Sequence, residues 1–131
     1  MVESTTLSAG QRLPEELRSH YIDVESMPWQ KTDINGIDMR VLYSDPDSGR
    51  STIIFKMQPG AVVPLHEHTA LEQTYVLSGS LTDDEGTVTE GNFVWRPAGN
   101  THVAHAPGGA LIISFFLKPN RFMAGEKFFT E

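Results

Sequence analysis

Residues 60–79 read GAVVPLHEHTALEQTYVLSG. His66 and His68 are separated by one residue, Glu67, in a short apolar stretch bounded by Gly60 and by Gly79. That composition reads as a strand, in which alternate residues share a face. Both imidazoles then point at one centre, and Glu67 points away. Glu72 follows four residues after His68 at the head of the next strand-like run, where its carboxylate can reach the same centre. If it does, Thr74 and Val76 face the same interior by alternation. Gly60 and Gly79 flank the strands and allow the positive φ that tight turns require.

Outward from this stretch the same texture continues. Short apolar runs are punctuated by Gly, Pro, Asn and Asp at intervals of about 8–12 residues, which predicts consecutive strands. The runs are Tyr21–Val24, Ile37–Tyr43, Arg50–Met57, Val62–His68, Glu72–Leu81, Thr87–Thr89, Asn92–Arg96, His102–Ala106 and Ala110–Lys118. Turn signals separate them at Asp45-Pro46-Asp47-Ser48-Gly49, Pro59-Gly60 and Asp83-Asp84-Glu85-Gly86. Such a series makes an all-β antiparallel sandwich or barrel. Helix signals are few. Pro14 and two glutamates favour one turn near Leu13–Arg18, and Phe122 to Phe129 is the other stretch with some helical spacing. We expect a loose segment over 1–19, one domain over 20–120 and a C-terminal segment over 121–131.

Composition narrows the function. The 131 residues suit one domain. There is no cysteine, which excludes disulfide scaffolds, thiolate zinc sites, iron–sulfur clusters and cysteine nucleophiles. Ten Lys and Arg against seventeen Asp and Glu give a net charge of −7. No stretch gathers the basic residues, so neither nucleic acid nor an anionic membrane is an expected partner. Met1 to Gly10 lacks the basic and apolar regions of a signal peptide, and no apolar run is long enough to span a bilayer. A cytoplasmic protein is expected.

A second histidine cluster, His102 and His105, lies far along the chain in Gly91-Asn92-Phe93-Val94-Trp95-Arg96-Pro97-Ala98-Gly99-Asn100-Thr101-His102. The turn at Pro97–Asn100 delivers His102 to the next strand. Three neutral imidazoles and one carboxylate, from His66, His68, His102 and Glu72, form a set suited to Fe(II), Mn(II), Ni(II), Cu(II) or Zn(II).

The two clusters resemble the motifs of the cupin superfamily. The first, G-x5-H-x-H-x3,4-E-x6-G, is met at Gly60, His66, His68, Glu72 and Gly79. The second, G-x5-P-x-G-x2-H-x3-N, is met at Gly91, Pro97, Gly99 and His102, with Ala106 in place of the final Asn. The resemblance implies a double-stranded β-helix, or jelly-roll, barrel with a metal ion held by His66, His68, Glu72 and His102. Finer phrases, Glu72–Leu77, Gly91–Pro97 and Phe115–Asn120, are similar to the ChrR-like cupins. That group takes in a zinc-binding anti-sigma-factor domain as well as acetylacetone and dihydroxyacetophenone dioxygenases. It implies Fe(II) and carbon–carbon cleavage of a small diketone or hydroxyketone. The alternatives are a zinc- or small-ligand-binding module without catalysis, and a redox-neutral isomerase or decarboxylase using Mn(II) or Ni(II). Acetylacetone dioxygenase binds iron through three histidines and lacks the motif glutamate that is Glu72 here.

Other residues take supporting expectations. Thr74 is a candidate pocket residue. Arg96 is placed to clamp an anionic group or to form an inter-strand ion pair, and His105 to sit behind the ligands or shuttle protons. Asp83-Asp84-Glu85 reads as a solvated hairpin tip. Trp29 and Trp95 read as core or dimer anchors. Phe115 and Phe116 straddle one strand, so its outer face should also be covered, and we expect a homodimer. Val24, Ile37 and Met39 are candidates for that interface.

Overall fold

The computed structural model describes residues 12–125. Its ten strands are β1 (Gln30–Lys31), β2 (Ile37–Asp45), β3 (Arg50–Met57), β4 (Ala61–Glu67), β5 (Glu72–Thr82), β6 (Thr87–Thr89), β7 (Phe93–Arg96), β8 (Thr101–Ala106), β9 (Ala110–Phe116) and β10 (Arg121–Phe122). Every pairing is antiparallel. One wall of the barrel runs β1-β2-β3-β9-β5-β7 and the other runs β10-β4-β8 to the far end of β5, where β6 also pairs. β5 joins both walls. It changes direction at a bulge between Val76 and Ser78, where the register against β9 shifts. The all-β jelly roll is the architecture that the sequence predicts. No helix among the described residues is long and apolar enough to cross a membrane.

Strict alternation builds the core. On β3, Ser51, Ile53, Phe55 and Met57 face inward and their neighbours do not. Ile37 and Met39 from β2, Val76 from β5 and Ile112 and Phe116 from β9 complete that layer. Phe55 and Phe116 meet edge to face at 6.2 Å. Burying each such side chain contributes about 1.5–3 kcal/mol. Gly79, at φ 77°, faces the backbone of Gly109 and Ala110, and a Cβ there would run into the Gly109 carbonyl.

Four expectations are corrected. Tyr21–Val24 is not a strand. Tyr21 is 94% exposed, and the chain instead makes a single 3-10 turn at Val24–Ser26, where Ser26 Oγ donates to Asp23 Oδ2 at 2.6 Å. A side chain bonding its own turn offers the backbone an alternative to a ladder. Ile37 and Met39 are core residues, each 1% exposed, and cannot line an outer interface. Phe122 belongs to β10 and pairs with His66, so no helix starts there; residues 126–129 lie outside the described part. The Asp83 side chain is buried, not part of a solvated tip. The expected turn near Leu13–Arg18 is a 3-10 segment over Glu15–Leu17. Trp29 is half-buried, with Arg40 at 4.1 Å and Lys56 at 4.4 Å from its ring centre.

Candidate metal centre

β4 and β8 are neighbours, and His66 stands directly opposite His102 in their register. Between Val63 and His66 the pairing slips. Pro64, which has no N–H to give a ladder, sits in that irregularity. Its carbonyl is turned to accept the His66 Nδ1–H at 2.7 Å. His68 lies just past the end of β4. Backbone bonds clamp it to the Pro97–Asn100 turn, from His68 N to Asn100 O at 2.9 Å and from Gly99 N to His68 O at 2.8 Å. Gly99 sits in that turn at φ 91°. Glu67 points outward and accepts from Arg121 at 2.9–3.0 Å.

The three rings converge. His68 Nε2 and His66 Nε2 each lie 3.0 Å from His102 Nε2, and all three side chains are buried. The outer nitrogens fix two of the tautomers. A carbonyl can only accept, so His66 carries its proton on Nδ1. His102 Nδ1 donates to Asp83 Oδ2 at 2.6 Å. Glu72 Oε1 stands 3.2 Å from His68 Nδ1 without making a well-directed hydrogen bond, and its charge favours the proton on that nitrogen. The Nε2 lone pairs of His66 and His102 are therefore turned on one another at 3.0 Å, with His68 Nε2 beside them. A shared proton would relieve that repulsion, but burial holds His66 down to about 4, against the pull of its bond to Pro64. Burial also lowers His102, aided by Arg96 and opposed by Asp83. A buried cluster of imidazole nitrogens suits a cation, and neutral imidazoles suit a divalent one. The residues thus fit the ion that the sequence motifs imply.

Glu72 and Thr74 both face the interior. Glu72 lies behind the His68 ring, outside the group of ligand atoms that fall within 4.8 Å of one another. Asn120 Nδ2 donates to its Oε1 at 3.2 Å and Thr74 Oγ1 to its Oε2 at 3.3 Å. Burial pushes this carboxyl up, but His68 and Asn120 outweigh it and hold it below its ordinary value. Thr74 in turn meets Ser114 Oγ at 2.8 Å. Arg96 is buried and forms an ion pair, with Asp83 at 2.9 Å. His105 is three residues beyond His102 on β8 and lies away from the histidine cavity; it pairs in register with Val62 and Thr82.

Asp83 is the residue that sequence reasoning missed. Its side chain is 3% exposed, not part of a solvated tip. Its carboxyl is pushed up by burial yet held below its ordinary value by His102, Arg96 and the backbone N–H groups of Glu85 and Gly86. No local pattern separates Asp83 from its exposed neighbour Asp84.

Beside the histidines lies a cavity of about 20 Å³, space for about one water. Met57, Val63, Leu81 and Ile112 form its apolar side; Thr74, Ser114, Arg96 and Asn120 supply polar atoms. Leu81 and Arg96 also line a wider groove of about 350 Å³ with Asp83, Phe93 and Trp95.

Solved structures share this architecture. A candidate acetylacetone dioxygenase of Methylibium petroleiphilum PM1 superposes with TM-score 0.76 at 20% identity, over 86% of this chain and 85% of its own. The acetylacetone dioxygenase of Acinetobacter johnsonii gives 0.74 at 17% identity, over 92% and 89%. The Rhodobacter sphaeroides complex of SigE with the anti-sigma factor ChrR gives 0.62 at 20% identity, over 71% of this chain and 50% of that one. At these identities the likeness is one of fold. No curated protein is a significant match. The sequence profile of the ChrR cupin-like domain matches residues 17–120, most of the described structure and every residue of the histidine cluster. The chain belongs to the ChrR cupin-like domain family.

Proposed function

We propose that His66, His68 and His102 hold one Fe(II) ion and that the chain is a dioxygenase-like enzyme acting on a small diketone or hydroxyketone. The convergence of three buried imidazoles in one barrel carries this reading. Three imidazoles suit Fe(II) among the divalent first-row ions, and a three-ligand set would leave positions for substrate.

When bound, such an ion supplies Lewis acidity toward an enolate and redox chemistry toward O₂. The chain's residues do the rest. Pro64 and Asp83 keep two imidazoles in the tautomer that presents Nε2. Glu72 tunes His68 from behind and keeps its own oxygens occupied by Asn120 and Thr74. Met57, Val63, Leu81 and Ile112 exclude water from one side. Thr74 and Ser114 offer hydroxyls, and Arg96 at the shared wall is the group a ligand meets between groove and cavity.

The test is metal analysis of protein purified without chelator or nickel resin, beside the His66→Ala/His102→Ala double variant. We expect about one iron per chain, absent from the variant, and O₂ uptake by the anaerobically reloaded protein with a β-diketone or hydroxyketone. One zinc per chain with no turnover would replace this reading with a binding module. The small size of the cavity is the observation that favours that second reading. Substrate conversion under strict anaerobiosis would point instead to redox-neutral metal chemistry.

We also propose a cytoplasmic homodimer, joined through the outer face of β5, β7 and β9. Tyr75, Phe93, Trp95 and Phe115 are exposed there. Their in-register neighbours Gln73 and Ile113 are uncharged, so two copies of a chain with charge −7 meet there with little repulsion.

A further inference from the structure

We propose that Asp83, held in place by Arg96, is a positioning residue of the metal centre: its carboxylate fixes the His102 ring so that Nε2 faces His66 and His68. The inference rests on the metal-binding reading above.

The two oxygens of Asp83 have different tasks. Oδ1 accepts the backbone N–H groups of Glu85 at 2.9 Å and Gly86 at 3.0 Å, and Asp83 N donates to Gly86 O at 2.9 Å. These bonds close the hairpin after β5 and fix the carboxylate plane. Oδ2 accepts His102 Nδ1–H at 2.6 Å and faces Arg96 Nη1 at 2.9 Å. The side chains are 3% exposed for Asp83 and His102 and 9% for Arg96. A buried ion pair is a poor way to stabilise a fold, because desolvation offsets the attraction. It is a good way to aim a ring. A carboxylate accepts from the imidazole and the guanidinium together, and the guanidinium keeps it from turning away. Imidazoles that bind metals commonly donate their other N–H to such a partner. His66 obtains its acceptor from its own strand, at Pro64. His102 takes its acceptor from a hairpin 19 residues away.

Two measurements test this, one without metal. In metal-free wild-type protein, the ¹⁵N shifts of His102 should show the Nδ1–H tautomer; the Nε2–H tautomer would overturn the proposal. The second is Co(II) affinity by chelator competition, with the visible absorption of the bound ion. Asp83→Asn should weaken binding on the order of 10- to 100-fold and alter the absorption bands, and the exposed-site control Asp84→Asn should do neither. Arg96→Met should weaken binding less, and adding it to Asp83→Asn should cost nothing more. Wild-type affinity and bands in Asp83→Asn would overturn the proposal, as would additive effects of the two changes. If the wild type binds no Co(II), the metal reading falls, while the tautomer still decides what Asp83 does to His102. If Asp83→Asn fails to fold, Asp83→Glu should bind more weakly through its displaced carboxylate, and unchanged affinity there overturns the proposal.

Discussion

The β2–β3 hairpin and the β5–β7–β9 corner belong to one sheet but distribute their side chains differently. In the hairpin, Ile37, Met39, Ile53 and Phe55 point inward, and Asp38, Arg40 and Lys56 point out. In the corner, Val76, Ile112 and Phe116 join the core, but Glu72, Thr74, Arg96 and Ser114 also point inward, and Tyr75, Phe93, Trp95 and Phe115 point out. The first arrangement needs no explanation beyond the hydrophobic effect. The second works against it, since buried polar groups cost free energy unless they are bonded. Here they are bonded, Thr74 to Ser114, Glu72 to Asn120 and Arg96 to Asp83. One region holds the barrel closed, and the other uses that stability to keep a polar site inside and an apolar face outside.

The largest expected effect separates stability from site. Phe55 is fully buried in the apolar region. Phe55→Ala should cost about 3–5 kcal/mol in urea unfolding through the cavity it leaves. At temperatures where the variant remains folded, its metal content should match the wild type. The His66→Ala/His102→Ala variant should behave the opposite way, losing metal while the metal-free fold persists. If Phe55→Ala loses metal while folded, the two regions are not separable and the comparison breaks.

Much of this division is legible in the sequence, for physical reasons that differ by residue. Alternation is a period of two, so once Arg50–Met57 reads as a strand, Ile53, Phe55 and Met57 fall on one face. His66 and His68 share a face for the same reason, and the motif spacing added His102. Register is what a single strand does not encode. That His66 stands opposite His102 depends on a slip at Pro64, and that Ile37 and Met39 lie inside depends on β2 pairing with β3. Asp83 is the clearest case. The two residues after it are acidic and exposed, and its partners, Arg96 and His102, are 13 and 19 residues away. Burial that comes from tertiary closure of a hairpin leaves no local signal. The short strands β1 and β10 escape notice because two residues carry no periodicity.

A second expected effect concerns pH in metal-free protein. His66 titrates near 6.5 in the unfolded chain and at about 4 in the fold, where burial disfavours its charge. Between those values the unfolded state binds the extra proton, so stability is complete above about pH 6.5 and declines as pH falls toward 4. The decline from this group is about 3 kcal/mol. His102 is lowered in the same sense. Urea unfolding at pH 7.5 and 4.5 should show this loss, and His66→Phe should reduce it. Equal stability at both pH values would mean that the histidine cluster is open to solvent, which would remove the contrast between the two interiors.

The smallest effect on stability tests the outward half of the contrast. Trp95 is 61% exposed and Phe115 43%, on opposite sides of Gln73 in the register of β7, β5 and β9. Exposed substitutions away from caps and buried networks usually change stability by less than about 0.5 kcal/mol. Trp95→Ser/Phe115→Ser should therefore unfold in urea almost as the wild type does. Its effect should appear in association. Aromatic side chains at the centre of an interface carry a large share of its binding energy, and serine at both positions replaces apolar contact with hydration. Sedimentation should show the wild type at twice the chain mass and the variant at the chain mass, with metal content equal in both. A variant that dissociates and also loses metal would link the outer face to the site through β5, whose alternate residues serve both. A wild type that sediments as a single chain would leave the inner polar face with its role and show that the outer aromatics do not pair with a second copy.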